Sequence, residues 1–179
     1  MNNDLKRQQE MLSSLIQRVT LLEDVESIRK CLTCYMAMCD NLNAETSLTA
    51  LTELFSEDAV WEGVGEKYQK SLGRYQGRAE ILNMFSSYVN GEAHFKMNAH
   101  FLTSENIQVN ADAMTATGTW LMLQTSTFKD GRAHLNSAQL DIHFVKQDQQ
   151  WFMDHFKTRN IFSRPISHWD SSAELPVPE

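Results

Sequence analysis

A phenol and a carboxylate stand five residues apart near the end of the stretch LLEDVESIRKCLTCYMAMCD, Leu21–Asp40: they are Tyr35 and Asp40. The phenol is a hydrogen-bond donor that stays protonated at neutral pH, and the carboxylate is an acceptor able to orient a neighbour. In an ideal helix a five-residue step turns about 140°, so the two share one space only if Asp40 falls in a last, unwinding turn. Each also has a plain structural reading: Tyr35 closes an apolar stripe, and Asp40 can simply end the helix. Cys31, Cys34 and Cys39 lie on the same stretch. Cys31 and Cys34 form a CxxC, but no second Cys or His pair follows at zinc spacing and no βαβ unit precedes it, so the thiols read as small buried hydrophobes. His143 and His155 fall on neighbouring strands, and His94, His134 and His168 fall near loops. No HxH, HExxH or carboxylate facial triad is present, so no metal is expected. No glycine-rich loop follows a strand, so no dinucleotide cofactor is expected either.

The elements that must position these groups follow from periodicity. Leu21, Val25, Ile28, Leu32 and Tyr35 recur at alternating steps of four and three, which predicts a helix with one buried face and Asp24 as its N-cap. Residues 1–20 form a separate amphipathic helix, with Leu5, Leu12, Leu15 and Val19 at heptad positions, joined to the core helix by a kink near Glu23–Asp24. Ser47–Phe55 is a short helix, SEDA a turn and VWEGV a strand. Gly63, Gly65, Gly73 and Gly77 punctuate a loop, and Arg78–Tyr88 is a third long helix. From His94 the period changes to two: a shorter strand, then strands over 115–128, 133–146 and 151–162, with Asp130-Gly131 as a hairpin turn. The tail, 163–179, carries all three prolines and is read as surface or disordered chain. Helices followed by an antiparallel meander indicate an α+β fold, a curved sheet wrapped on helices with a pocket inside.

Composition narrows the partners. The chain has 179 residues and a net charge of −7 without a basic run, which argues against nucleic acid or an anionic membrane. The polar N-terminus and the lack of a long apolar run argue for a cytoplasmic protein that does not span a membrane. The exposed apolar stripe of the first helix and an apolar convex sheet face point to a homo-oligomer, dimer or trimer.

Four segments together resemble one family: the helix end YMAMCD, LTELFSEDAVWEG, GRAEILNMF and NAHFLTSENIQVNADAMTATGTW. The layout is similar to the SnoaL-like branch of the nuclear-transport-factor-2 (NTF2) superfamily over residues 20–162. That superfamily includes polyketide cyclases, scytalone dehydratase, ketosteroid isomerase and the small subunits of ring-hydroxylating dioxygenases. The resemblance implies a cone-shaped NTF2-like domain over 21–162, and within it the pattern is nearest the bile-acid 7α-dehydratases. Tyr35 and Asp40 match their Tyr–Asp step, His100 with Ile107 their strand histidine, and Thr115–Trp120 their TATGxW; Arg159 matches their last-strand arginine to within one residue. A pocket tyrosine of that pattern falls near Gly63, and an acidic residue is replaced by Gln124.

What the resemblance implies is a cofactor-free lyase or isomerase acting on a cyclic, carbonyl-bearing small molecule. Dehydration beside a carbonyl needs a base, a donor for the developing enolate and a proton for the leaving hydroxyl. His100 suits the base, Asp40 can hold its ring, Tyr35 can polarise the carbonyl, and Arg159 or Lys157 can neutralise a carboxylate or enolate. Trp61, Phe101, Trp120, Met122 and Gln124 are the expected lining for a flat apolar ligand. Two alternatives share the fold: a non-catalytic binding or assembly subunit like the dioxygenase small subunit, and a polyketide cyclase-like enzyme.

Overall fold

The structure, a computed structural model, describes residues 2–90 and 93–167. The first helix, α1, runs from Asn2 to Asp40 without a break. The helical assignment continues through Glu23–Asp24, a segment with neither proline nor glycine to interrupt the ladder. Ile28, Leu32 and Tyr35 are buried as the stripe requires, whereas Leu21 and every other side chain from Asn3 to Glu23 is exposed. The first half of α1 therefore projects from the domain and its second half forms the core.

Asp24 is not a cap. It sits mid-helix, buried, where Oδ1 accepts from Lys146 Nζ at 2.7 Å and from Trp151 Nε1 at 2.9 Å. Lys146 Nζ also lies 5.8 Å from the centre of the Trp151 ring. This contact pins the middle of α1 to the turn between the last two strands.

After α1 come α2 (Leu48–Thr52), β1 (Phe55–Val64), α3 (Gly65–Ser71), β2 (Arg74–Gln76) and α4 (Arg78–Val89). Ser47 caps α2 through its Oγ, which accepts from the Ala50 N–H. Two readings of this region are corrected. SEDA belongs to β1, where a register shift between Phe55 and Val60 absorbs the polar residues. The glycine-punctuated loop holds a helix and a strand, and its glycines mark their ends: Gly65, Gly73 and Gly77 all have positive φ.

Four long strands follow: β3 (Phe95–Val109), β4 (Thr115–Phe128), β5 (Ala133–Gln147) and β6 (Gln150–Ile166). The first of these is as long as its neighbours, not shorter, because a register shift between Thr103 and Asn106 carries the strand through. β6 also runs into the predicted tail as far as Ile166, pairing Pro165 opposite His134. The rest of that tail, 168–179, lies outside the described residues. The sheet order is β2-β1-β6-β5-β4-β3, antiparallel except where β1 lies beside β6. It is a curved α+β sheet closed on its concave side by α1 and α4. Bulges on β1, β3 and β6 supply the bends that curvature needs.

Candidate functional site

The end of α1 meets β3 in the concave face. Asp40 occupies the last turn of α1, and its Oδ1 accepts from both the backbone N–H of His100 (2.9 Å) and the ring Nδ1 (2.6 Å). A carboxylate can only accept, so Nδ1 is the donor in this contact, and in the neutral imidazole Nε2 then carries the lone pair. A neighbouring contact holds the same junction: Asn98 Nδ2 donates to the Cys39 carbonyl at 3.2 Å. Asn98 Oδ1 in turn accepts from Gln124 Nε2 (2.9 Å) and Ser126 Oγ (2.8 Å). The alternation along β3 and β4 thus turns Asn98, His100, Gln124 and Ser126 inward, against the usual apolar-in pattern, and leaves Phe101, Leu121 and Leu123 outside.

His100 lines a cavity of about 140 Å³ together with Tyr35, Trp61, Phe85, Tyr88, Asn98, Met122, Gln124, Phe156 and Thr158. Asp40 lies behind His100 and does not line it. Tyr35 is fully buried, with its ring edge-on to Phe55 and Phe85. Its Oη accepts from Trp61 Nε1 at 2.9 Å, and the hydroxyl keeps its own proton to donate. Burial holds the Tyr35 phenol well above the ordinary value of 10.0, so it remains a donor. Trp61 stacks on Phe156, with ring centres 5.7 Å apart, and forms a flat wall.

Of the expected lining residues, Trp61, Met122 and Gln124 face the cavity, and Phe101 and Trp120 do not. Phe101 follows His100 on the strand and so points outward, 55% exposed. Trp120 shares the inner face but folds over Gly118, where an added Cβ would fall 2.3 Å from its ring, and donates to Glu105 Oε2 at 3.3 Å. The expected pocket cation is also absent from the lining. Counting in twos from the inward Trp151 puts Lys157 and Arg159 inside. However, Asp154 is an extra residue between the pairs Phe144–Met153 and His143–His155, and it reverses the alternation. Phe156 and Thr158 therefore face in, and Lys157 and Arg159 face out; Arg159 is exposed, beside Gly65.

The sequence reading missed Tyr68, Leu72, Met84, Phe85, Tyr88, Asn98 and Thr158 as lining. Tyr68 has a traceable cause. Gly63, where the resembled pattern has a tyrosine, lets α3 press so close that an added Cβ would sit 2.6 Å from the Tyr68 carbonyl. That close packing brings a phenol to the cavity from α3 instead. Asn98 could have been found from the two-residue step to His100. Among the described residues no three His, Cys, Asp or Glu side chains converge as metal ligands.

Two buried thiols, Cys39 in the cavity wall and Cys31 a little over two turns earlier on α1, give a pH dependence. Burial pushes Cys31 and Cys39 from 9.0 up to about 12. Above about pH 9 the unfolded chain releases protons that the folded chain keeps. Stability is therefore intact below that pH and falls above it, by about 1.4 kcal/mol per pH unit for each thiol. Urea denaturation at pH 8 and pH 10 is expected to show this loss, with a shallower slope in Cys39→Ala; equal stabilities at both pH values would contradict it.

A search of curated proteins finds no match. Among solved structures, the chain is similar to hexachlorocyclohexane dehydrochlorinase LinA-type3 from Novosphingobium barchaimii LL02, with TM-score 0.68 and 15% identity over 90% of this chain and 99% of that one. It is similar to a protein provisionally named scytalone dehydratase from Novosphingobium aromaticivorans, with TM-score 0.65 and 18% identity over 82% and 90%. It is also similar to an NTF2-like protein with a cystatin-like fold from the same organism, with TM-score 0.65 and 24% identity over 84% and 90%. These likenesses establish the NTF2-like fold. The family model for the SnoaL-like domain matches residues 20–157, most of the chain, and the protein belongs to that family.

Proposed function

We propose that the protein is a cofactor-independent lyase or isomerase of the dehydratase type. It acts on a cyclic, carbonyl-bearing small molecule through Tyr35, Asp40 and His100. The observation that carries this reading is the fork of both His100 N–H groups onto one Asp40 oxygen, which leaves the second ring nitrogen as a base on a residue that lines the cavity. In the reaction Nε2 takes the proton beside the carbonyl. The C–H electron pair passes into the enolate, whose oxygen accepts from Tyr35, and then into the new double bond as hydroxide leaves. The imidazolium returns its proton to the leaving oxygen, so water departs and the base is restored. Two of the similar structures bear the names of enzymes that remove HCl or water, which agrees with elimination chemistry. Arg159 has no part in this sequence of steps; its exposed position suits a role outside the cavity. The test is a screen of β-hydroxy-ketones and enones for an ultraviolet absorbance change. A turnover that His100→Ala abolishes supports the proposal, and binding without turnover across the panel favours the binding-subunit alternative.

The protein is further proposed to act as a homo-oligomer. Leu5, Leu12, Leu15, Val19 and Leu22 form a heptad stripe on the half of α1 that its own domain leaves exposed, and a lone helix of that length gains stability only by packing. Phe101, Leu121 and Leu123 form a second exposed apolar group on the outer sheet face. Light scattering is expected to return a multiple of 20.6 kDa at micromolar concentration, reduced when residues 1–20 are deleted. A monomer in the full chain would overturn the assembly.

A further inference from the structure

The cavity that lines up with His100 does not stand alone. A second hollow of about 480 Å³ lies between α3 and α4, and it shares Trp61, Leu72, Met84 and Tyr88 with the inner cavity. Beyond that shared wall its lining turns polar: Ser71, Glu80, Asn83 and Ser87. The inner cavity, about 140 Å³, is close to the roughly 150 Å³ of an engineered apolar cavity that takes up benzene. Among the described residues neither space is lined by a lysine or an arginine. The bulge at Asp154 turned outward the two cations nearest in sequence. Carboxylates do stand there: Asp40 behind His100 and Glu80 at the outer hollow. An anion would therefore lose its hydration in the inner cavity with no lysine or arginine to replace it.

We infer that the site is bipartite and selects uncharged ligands: the inner cavity holds a single ring, and the α3–α4 hollow holds a neutral substituent threaded past Leu72, Met84 and Tyr88. This rests on the reading of the inner cavity as a small-molecule site and specifies what that site takes. Ring size is set by Met84, a partly buried, flexible side chain that lines both spaces. The substituent meets hydrogen-bonding groups at Asn83, Ser71 and Ser87.

The test uses four probes: cyclohex-2-enone, 2-pentylcyclohex-2-enone, 1-tetralone and cyclohex-1-ene carboxylate. Binding is read from the indole N–H resonance of Trp61, which borders both spaces and is assigned by its loss in Trp61→Phe. The single-ring enones are expected to shift it, with the carboxylate and the two-ring tetralone at least about tenfold weaker. Met84→Ala should recover tetralone binding, and Asn83→Trp should weaken the pentyl enone several-fold more than the plain enone. A carboxylate bound as tightly as the enone, or a pentyl enone indifferent to Asn83→Trp, overturns the bipartite neutral site while the cavity reading stands. If no probe shifts Trp61 at millimolar concentration, the cavity reading itself fails and this inference with it.

Discussion

His100→Ala is expected to lower turnover by at least ~100-fold, the lower end of what a positioned general base contributes. The imidazole has one nitrogen committed to Asp40 and belongs to a residue that lines the cavity, so removing it removes the proposed base while the other lining residues remain. Asp40→Asn should lower turnover by the same route, because an amide can present its N–H to Nδ1 and reverse the tautomer. The two groups act as a unit. The double variant should accordingly lose little more than the worse single variant, as coupled catalytic residues do. Tyr35→Phe should cost less, on the order of 1.5–3 kcal/mol in the barrier, the worth of one hydrogen bond to a developing charge. All these variants should fold, since none removes a core contact larger than a polar head group or an imidazole at the cavity edge. Losses that simply add across the Asp40 and His100 pair would contradict the coupling.

Asp24→Ala is expected to destabilise the fold by about 3–5 kcal/mol, because it leaves the Lys146 ammonium buried without its counter-charge. It also strips Trp151 Nε1 of its acceptor. Domains of this kind are typically stable by only about 5–15 kcal/mol, so the variant should sit near the edge of folding. Lys146→Met in the same background should restore much of the loss, since the methionine stem fills the same space and carries no charge. Urea midpoints for the two variants provide the check: a loss in Asp24→Ala that Lys146→Met leaves uncorrected would mean that the pair is not what holds α1 to the β5–β6 turn.

Much of the scaffold was legible because its signals are local. The stripe through Ile28, Leu32 and Tyr35, the hairpin at Asp130-Gly131 and the bounds of β4 each follow from a period or a turn preference. The failures share a cause. Bulges are one-residue events that no period announces, and one of them, at Asp154, reversed the facing of Lys157 and Arg159. Asp24 looked like a cap because Asp is a good one; its buried partners, Lys146 and Trp151, lie more than a hundred residues away. At the site, Asp40 and His100 were legible through the family pattern, whereas Tyr68 arrived through the close packing of α3 on Gly63, which no spacing in the chain displays. The inward polar row on β3 and β4 breaks the local apolar-in rule where the cavity lies.

The most direct test of the central claim is hydrogen–deuterium exchange at the acidic carbon of a bound cyclic ketone, followed by NMR in deuterated buffer. It needs only the first proton transfer and no complete elimination. If His100 is the base, the wild-type protein exchanges the proton beside the carbonyl well above the buffer rate, and His100→Ala falls at least ~100-fold toward that rate. Exchange at the wild-type rate in His100→Ala, with the ketone bound in the cavity, would contradict the mechanism.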